Sequence, residues 1–327
     1  MNNNPESTII ARPEYLGIPV EELTINVSTG FDLFIKTASN YVLFHSCEKP
    51  VTEEIMQKIR QRVQSRYIYM RASDQNRYLN YMVENMLKTV EDKNAPTEVR
   101  CKKLYDSTVS IVKNAFYKPR KEAVEIAARV IDPLVDLLSE DTNSVKTLTN
   151  ITNHDPYIYI HSVNVAVLGS ALSTQLFPEK DDVRELGFAL LMHDIGKSRI
   201  ERDVLMKPRK LTREEWKIMK EHPTIGVEIL KELGFLSKMA RTVTLQHHER
   251  YDGTGYPLGL KKGYISDFAK ICTIADVFEA ITSKRPYKKS KATFEALKIM
   301  KDEMSGNFDP EMFKAFVYMF RKAAQRK

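Results

Sequence analysis

The sequence predicts a mainly α protein, with an all-helical C-terminal domain, a small α/β domain at the N-terminus and a helical segment between them. Short β-prone runs mark roughly the first 70 residues. From about Asp74 the apolar residues recur at helical spacing, and from about Val145 nearly every segment follows this pattern. We therefore expect domains at residues 1–73 and 148–327, joined by a helical connector at residues 74–147.

The N-terminal segment combines β-prone runs with one helix. Phe31–Lys36 and Tyr41–His45 flank Thr37–Asn40, an arrangement that predicts a hairpin. Thr52 is followed by two glutamates, which indicates a helix start with an N-cap, and the helix extends to about Val63. A further strand is predicted at Arg66–Met70. A regulatory or partner-binding role is our expectation for this domain, because it would lie beside a catalytic one.

Three helices are predicted for the connector. The first carries Tyr78, Met82, Met86 and Val90 at helical spacing and ends at the Pro96 turn. The second has the candidate core residues Val99, Leu104, Val109 and Val112 and ends near Pro119. The third covers Ala123–Leu138. The sequence leaves open whether this segment is an edge of the C-terminal domain or a stalk through which the protein forms oligomers.

Composition limits the possible settings of the protein. No apolar run approaches the roughly 20 residues that a membrane helix needs, and the first residues lack the features of a signal peptide. The three scattered cysteines, Cys47, Cys101 and Cys272, favour a reducing compartment. We therefore expect a cytoplasmic protein without a membrane partner.

The net charge of +7 is compatible with a nucleic acid, a membrane surface or a phosphate-bearing small ligand. Motifs of nucleic-acid binding, such as zinc fingers, aromatic RNA-binding signatures and long basic arms, do not occur in the sequence. The clearest basic cluster is Lys284–Lys289. We therefore favour a small phosphate-bearing ligand and expect no nucleic-acid partner.

Five of the seven histidines lie within or just before the segment from His193 to Pro257, and Asp194 stands directly beside one of them. Imidazole together with carboxylate is the ligand set of a catalytic divalent metal, and a cluster of this size can hold more than one ion. The remaining histidines, His45 and His154, are interpreted as ordinary hydrogen-bonded residues. The candidate ligands are His161, His193, Asp194, His222, His247, His248 and Asp276.

The pair His193–Asp194 follows the apolar run Phe188–Met192, which predicts a buried helix with two ligands at its end. A carboxylate beside an imidazole can be shared by two metals. Gly196 would let the backbone pass close to the ions. Lys197, three residues beyond Asp194, would present its charge to a phosphate oxygen.

Adjacent residues such as His247 and His248 diverge by about 100° on a regular helix, so they can reach one metal together only at a helix end. The glycine-rich loop Asp252–Gly255 would then place Tyr256 at the rim of the site. Asp276 lies in the apolar run Ile271–Phe278, where a lone carboxylate is costly and a metal is the simplest partner.

Each of these signals also has a structural interpretation. A single histidine such as His222 is more often a core or surface residue, Asp276 alone could cap a helix or pair with a lysine, and Tyr256 alone could be a packing residue. Their occurrence together in one helical domain favours a metal centre.

The motifs His193–Lys197 and His247–Pro257 resemble the HD-GYP family of metal-dependent phosphohydrolases, over about residues 148–327. The resemblance implies an all-helical HD-type domain that hydrolyses cyclic di-GMP. It also implies two divalent ions, iron or manganese, with Asp194 bridging them. His161, His193 and Asp276 would complete one site, and His222, His247 and His248 the other.

The resemblance further implies which residues contact the substrate. Lys197 would bind a phosphate, Arg285 and Lys288 would grip the second phosphate, and Tyr256 would lie at the substrate rim. A hydroxide between the ions would attack phosphorus. Some relatives have a glutamate one helical turn before the first histidine, where this chain has Tyr157. This departure favours two metals rather than three, and linear pGpG rather than GMP as the main product.

Two other functions stay open at this point. The domain could be a cyclic di-GMP receptor or partner-docking module with little turnover, although a receptor needs no seven-ligand centre. It could also hydrolyse another cyclic dinucleotide or phosphate ester, because pocket shape rather than the ligand set selects the substrate.

Overall fold

Contacts divide the chain into two compact units, Met1–Asn85 and Met86–Lys327. The computed structural model describes residues 14–62, 66–140, 142–151, 157–207, 209–283 and 291–325. The predicted three-part division, with boundaries at residues 73 and 147, stays a prediction.

The N-terminal unit contains a four-stranded antiparallel sheet with strand order β1-β4-β2-β3. Its strands are β1 Tyr15–Pro19, β2 Leu33–Lys36, β3 Tyr41–His45 and β4 Tyr67–Arg71. The N–H of Thr37 donates to the carbonyl of Asn40 at 2.7 Å and closes the predicted hairpin. Helix α1, Glu53–Arg62, contributes Met56 and Ile59 to the buried core of this unit. The predicted α/β character is therefore confirmed.

Strand β1 is absent from the sequence prediction. Its five residues include Gly17 and Pro19, both of which are depleted in strands. The strand lies at an edge of the sheet, where proline is tolerated because no neighbouring strand needs its missing N–H. Only its pairing with β4, from Tyr15 opposite Arg71 to Pro19 opposite Tyr67, makes it a strand.

Helices account for the regular structure of the rest of the described chain, apart from short 3-10 turns, and the predicted mainly α class is confirmed. The helices are α2 Gln75–Glu91, α3 Thr97–Tyr117, α4 Lys121–Ala128, α5 Ile131–Glu140, α6 Thr142–Ile151, α7 Ile158–Leu176, α8 Lys180–Met192, α9 Arg202–Leu205, α10 Arg213–Met219, α11 His222–Leu233, α12 Lys238–Gln246, α13 Asp267–Thr282, α14 Thr293–Glu303 and α15 Pro310–Gln325.

One helix differs from its prediction. The segment expected as a single helix over Ala123–Leu138 is divided into α4 and α5 by a turn at residues 129–130. Pro133 explains the division, because proline lacks the N–H that a helix interior requires but fits within a first turn. It lies at the third position of α5.

Helix α7 forms the centre of the C-terminal unit. Its residues from Ser162 to Ser173 are all buried, as expected for a helix that is apolar around its whole circumference. Gly169 permits a close approach to α8, because an added Cβ would lie 2.6 Å from Leu190 Cδ1. This packing holds His161, near the start of α7, beside His193 at the end of α8.

Candidate metal centre

The candidate ligands lie mostly where helices begin or end. His193 and Asp194 directly follow α8, His222 opens α11, and His247 and His248 directly follow α12. Two others come from within helices, His161 from the first turn of α7 and Asp276 from the middle of α13. A helix end frees consecutive residues from the fixed rotation of the helix, so both histidines of a pair can face the same centre.

The seven side chains form two groups. Each donor atom in a group lies within 4.8 Å of the others. We call His161, His193 and Asp276 the carboxylate half, and His222, His247 and His248 the imidazole half. Asp194 groups with the imidazole half but also faces the carboxylate half.

Asp194 directs one oxygen to each half. Its Oδ1 lies 3.2 Å from Nε2 of His222 and 3.6 Å from Nε2 of His247. Its Oδ2 lies 3.4 Å from Nε2 of His161 and 3.5 Å from Nε2 of His193. This division of the carboxylate is the geometry that a ligand shared by two metals requires.

Three histidines are oriented by backbone carbonyls. The Nδ1 atoms of His193, His222 and His247 each donate to the carbonyl three residues earlier, at 2.7, 2.7 and 2.8 Å. Because a carbonyl can only accept, the proton lies on Nδ1 and the Nε2 lone pair faces the centre. This is the arrangement of metal-binding histidines.

His161 is oriented by a carboxylate instead. Its Nδ1 lies 2.5 Å from Glu279 Oε2, and Asn164 donates to Glu279 Oε1 at 3.1 Å. The hydroxyl of Tyr105 then donates to Asn164 Oδ1 at 2.7 Å. Since Nδ1 faces Glu279, His161 also directs Nε2 to the centre.

Several buried atoms of the centre lack a hydrogen-bond partner among the described residues. They include Nε2 of His193 and Oδ1 of Asp194. Nε2 of His222 and Nε2 of His247 lie 3.1 Å apart, with both Nδ1 protons committed elsewhere. A cation between them would relieve this lone-pair contact, since metal–nitrogen bonds of about 2.1 Å place neighbouring ligands roughly 3.0–3.4 Å apart. The residues therefore fit divalent metal ions.

The protonation states also suit metal binding. Burial lowers the pKa of His193 to about 3, and it lowers the pKa values of His222 and His248. Burial alone would raise the pKa of Asp194, but the charge of Lys197, together with His193, His222 and His247, holds the pKa well below its usual range. Buried neutral imidazoles beside an ionised carboxylate are the ligand forms that bind metal.

His161 differs because two acids face it. Burial would lower its pKa, but the charge of Glu279 and a hydrogen bond with Asp276 raise it to about 10. Burial likewise favours the neutral form of Asp276, but His161 holds its pKa far below the usual value. A metal ion at Nε2 of His161 would take the place of its second proton.

The glycine-rich loop after His248 forms one wall of the centre. The buried carboxylate of Glu249 accepts three backbone N–H groups, those of Leu258, Gly259 and Leu260, at 2.6, 3.2 and 2.9 Å. Gly255 passes so close to the preceding chain that an added Cβ would lie 2.4 Å from the nitrogen of Arg250. The loop thereby places the Tyr256 ring on His248, with centroids 4.7 Å apart and planes at 27°.

A family model described as HD domain matches residues 146–312. That match covers half of the chain, and the motifs and the geometry agree with it. The chain belongs to the HD-GYP family of HD-domain proteins. Bd1817, a HDG"Y"P protein from Bdellovibrio bacteriovorus, has a similar fold, with a TM-score of 0.69 and 19% identity over 94% of this chain and 99% of its own.

Curated relatives of this HD-GYP chain are cyclic dinucleotide phosphodiesterases. Cyclic di-GMP phosphodiesterase PA4108 of Pseudomonas aeruginosa is 41% identical over 58% of this chain and 46% of its own length. A cyclic di-GMP phosphodiesterase of Thermotoga maritima is 33% identical, covering 65% and 56%. The 3'3'-cGAMP-specific phosphodiesterase 3 of Vibrio cholerae is also 33% identical, covering 65% and 48%. The chain thus spans about half the length of these relatives.

Two more predicted substrate contacts of this HD-GYP chain can be placed. Lys197 lies in a 3-10 turn after Asp194, and its ammonium is 2.5 Å from Asp194 Oδ2. The Tyr256 side chain is partly buried and stacks on His248. Arg285 and Lys288 lie outside the described residues. Tyr157 directly precedes α7 with 47% of its surface exposed, and its ring stacks on that of Tyr159.

Sequence reasoning missed the acids that support the HD-GYP site. Glu279 and Glu249 are 2% and 1% exposed, and neither was proposed. Glu279 had a detectable signal, because it lies three residues beyond Asp276 in the same apolar helix and therefore on the same face. Asn164 follows His161 by the same interval.

Within the residues that the structure describes, no helix has both the length and the apolar character needed to cross a membrane.

Proposed function

We propose that this HD-GYP protein hydrolyses cyclic di-GMP to linear pGpG at two divalent metal ions, iron or manganese. The observation that carries the proposal is Asp194, whose two oxygens face different halves of one buried cage. The names of the relatives from Pseudomonas and Thermotoga support cyclic di-GMP as substrate.

The metals would supply an activated water and withdraw charge from a phosphate oxygen. The chain's own residues orient and balance these groups. Asp194 would bridge the sites, with His161, His193 and Asp276 on one side and His222, His247 and His248 on the other. Main-chain carbonyls and Glu279 hold the rings so that their lone pairs converge.

Lys197 has two parts in the proposal. Its side chain is 19% exposed, so the ammonium lies between buried Asp194 and the open side of the cage. From there it balances the carboxylate charge and would pair with a phosphate oxygen as negative charge develops. Arg285 and Lys288 would hold the second phosphate, and Tyr256 would line the substrate rim.

Linear pGpG is proposed as the product because Tyr157 supplies no carboxylate for a third ion. The free cysteines, Cys47, Cys101 and Cys272, support a reducing compartment such as the cytoplasm. A regulatory or partner-binding role for the N-terminal unit is part of the same proposal.

A second candidate substrate is 3'3'-cGAMP, which the Vibrio relative's name specifies and which differs from cyclic di-GMP in one base. A receptor with little turnover is less well supported, because the seven donor groups are arranged for metal ions rather than for ligand contact alone.

The test is metal analysis paired with product chromatography on anaerobically purified protein. We expect two ions per chain and pGpG from cyclic di-GMP, with slower cleavage of 3'3'-cGAMP. Asp194→Ala should lose both ions and more than about 10³-fold of the activity, since metals supply several kcal/mol of transition-state stabilisation. The matched control is Asp302→Ala, an exposed position on α14. Full turnover in metal-free Asp194→Ala would refute the proposal.

A further inference from the structure

Trp216 is the chain's single tryptophan, and 47% of its surface is exposed. Its helix, α10, is firmly anchored at its start. Thr212 and Glu215 form a capping box, with Thr212 N–H donating to Glu215 Oε2 at 2.7 Å, and Lys207 pairs with the same glutamate. The exposed indole therefore lies on a fixed helix rather than on a loose segment.

Ring contacts connect Trp216 to the metal cage. Its ring meets that of Tyr256 edge to face, with centroids 6.4 Å apart. Tyr256 in turn stacks on His248, whose Nδ1 lies 3.7 Å from Asp276 Oδ2. The indole is thus two ring contacts from a candidate metal ligand. A cyclic dinucleotide carries its bases next to its phosphates, so a ligand bound at the cage would extend one base towards this wall.

A cation lies beside the same wall. The Lys220 ammonium lies 5.5 Å from the centroid of the Tyr256 ring, and Lys220 itself is exposed. Exposed aromatic faces flanked by basic groups are the usual platform for nucleobases, because every base has a π-face and a neighbouring phosphate. Burial in the protein core does not account for an indole that is half exposed.

We propose that Trp216, together with Tyr256 and Lys220, forms a subsite that stacks one purine base of the substrate while the scissile phosphate lies at the cage. This inference rests on the proposed function and extends it to Trp216 and Lys220, which lie outside the two motifs that carry the family resemblance. Stacking reads the size of a base rather than its hydrogen-bonding edge, so the subsite accepts guanine and adenine alike.

The single tryptophan makes binding directly observable. GMP, added to full-length metal-loaded protein, should quench tryptophan fluorescence in a saturable way. Ribose 5-phosphate is the matched control, because it carries the phosphate without the base and should leave the signal unchanged. AMP should quench as GMP does. Equal effects of GMP and ribose 5-phosphate would overturn the subsite.

Kinetics give a second and independent measurement. Trp216→Ala should raise KM about tenfold or more through loss of one base–aromatic stack, with kcat changed by less than about twofold. Trp216→Phe keeps an aromatic face and should recover most of that loss. Tyr318→Ala is the control, because Tyr318 is 57% exposed on α15. An unchanged KM in an active Trp216→Ala enzyme would overturn the inference.

The two proposals fail in different ways. Quenching by GMP without hydrolysis of any cyclic dinucleotide would support the subsite and refute the proposed function. Hydrolysis without quenching, and without a KM effect at Trp216, would do the reverse.

Discussion

The two halves of the metal cage differ in how one imidazole is held, although a backbone carbonyl orients His193 in the carboxylate half as it orients His222 and His247 in the imidazole half. In the carboxylate half, a series of side-chain hydrogen bonds connects Tyr105 through Asn164 and Glu279 to His161. In the imidazole half, backbone carbonyls hold His222 and His247. A carboxylate can be changed by substitution and a carbonyl cannot, so the carboxylate half is open to tuning through residues that never touch a metal.

The donor sets differ as well. Asp276 gives the carboxylate half an ionised oxygen of its own, whereas the imidazole half has three imidazoles and shares Asp194. Oxygen ligands suit Mn²⁺, and imidazoles suit ions further along the first transition series. The two proposed ions should therefore bind with different affinities and respond separately to substitution.

Removing one histidine from each half is the strongest way to break this comparison. His161→Ala should lose the ion of the carboxylate half only, and His222→Ala the ion of the imidazole half only. Elemental analysis should give one ion per chain in each variant. Activity should fall by more than about 100-fold, because substitution of a residue that only supports a metal ligand already lowers activity by up to about 100-fold.

His45→Gln in the N-terminal unit is the control for the histidine variants, because His45 bonds to the carbonyl of Lys49 within its own unit. It should retain both ions. Loss of both ions from either His161→Ala or His222→Ala would show that the halves do not load independently.

The sequence was informative about the donors for a physical reason. Metal-binding side chains are adjacent in the sequence at His193–Asp194 and at His247–His248. Such pairs can be recognised without knowledge of the tertiary structure. All seven candidate donors are adjacent in space. The fold class followed from apolar periodicity in the same local way.

What sequence reasoning missed depends on contacts between distant segments. Hydrogen bonds from Tyr105 through Asn164 to Glu279 connect α3 to α13 by way of α7. None of these three residues belongs to a recognisable sequence motif. Strand β1 depends on β4, about 50 residues later, because its own composition disfavours a strand. Val99, expected in the core, is 49% exposed, since it lies on the face of α3 opposite the buried Cys101 and Leu104.

Glu279→Gln sharpens the comparison with a smaller effect. The change keeps the size of the side chain but removes the charge that faces His161 Nδ1. We expect the metal affinity of the carboxylate half to fall by about 10–100-fold, with the other ion unaffected. Metal titration followed by elemental analysis measures both sites.

Glu303→Gln is the matched control for this change, because Glu303 is exposed on α14. It should leave both affinities unchanged. Equal weakening of both ions in Glu279→Gln would mean that the supporting chain acts on the cage as a whole.

An ion pair away from the cage allows a substitution that lowers the stability of the fold without touching a metal ligand. This substitution has the smallest expected effect. Arg100 contacts both oxygens of Glu140, at 2.8 and 3.0 Å, and joins α3 to the end of α5. This hydrogen bonding lowers the pKa of Glu140 from 4.5 to about 2, despite partial burial. Because the pKa is lower in the folded state, the pair stabilises the protein above about pH 4.5, and this contribution is lost as the pH falls towards 2.

Glu140→Gln should therefore lower the free energy of unfolding at neutral pH by about 1–2 kcal/mol, between the values for exposed pairs and for charge-assisted hydrogen bonds. The Glu140 side chain is 28% exposed, which places the effect below that of a fully buried pair. Urea unfolding at several pH values should show the difference from wild type shrinking below about pH 4.5. Metal content at neutral pH should stay at two ions, because neither residue contacts the cage. If Glu140→Gln emptied one half of the cage, global stability rather than local support would govern metal loading, and the contrast between the halves would lose its physical basis.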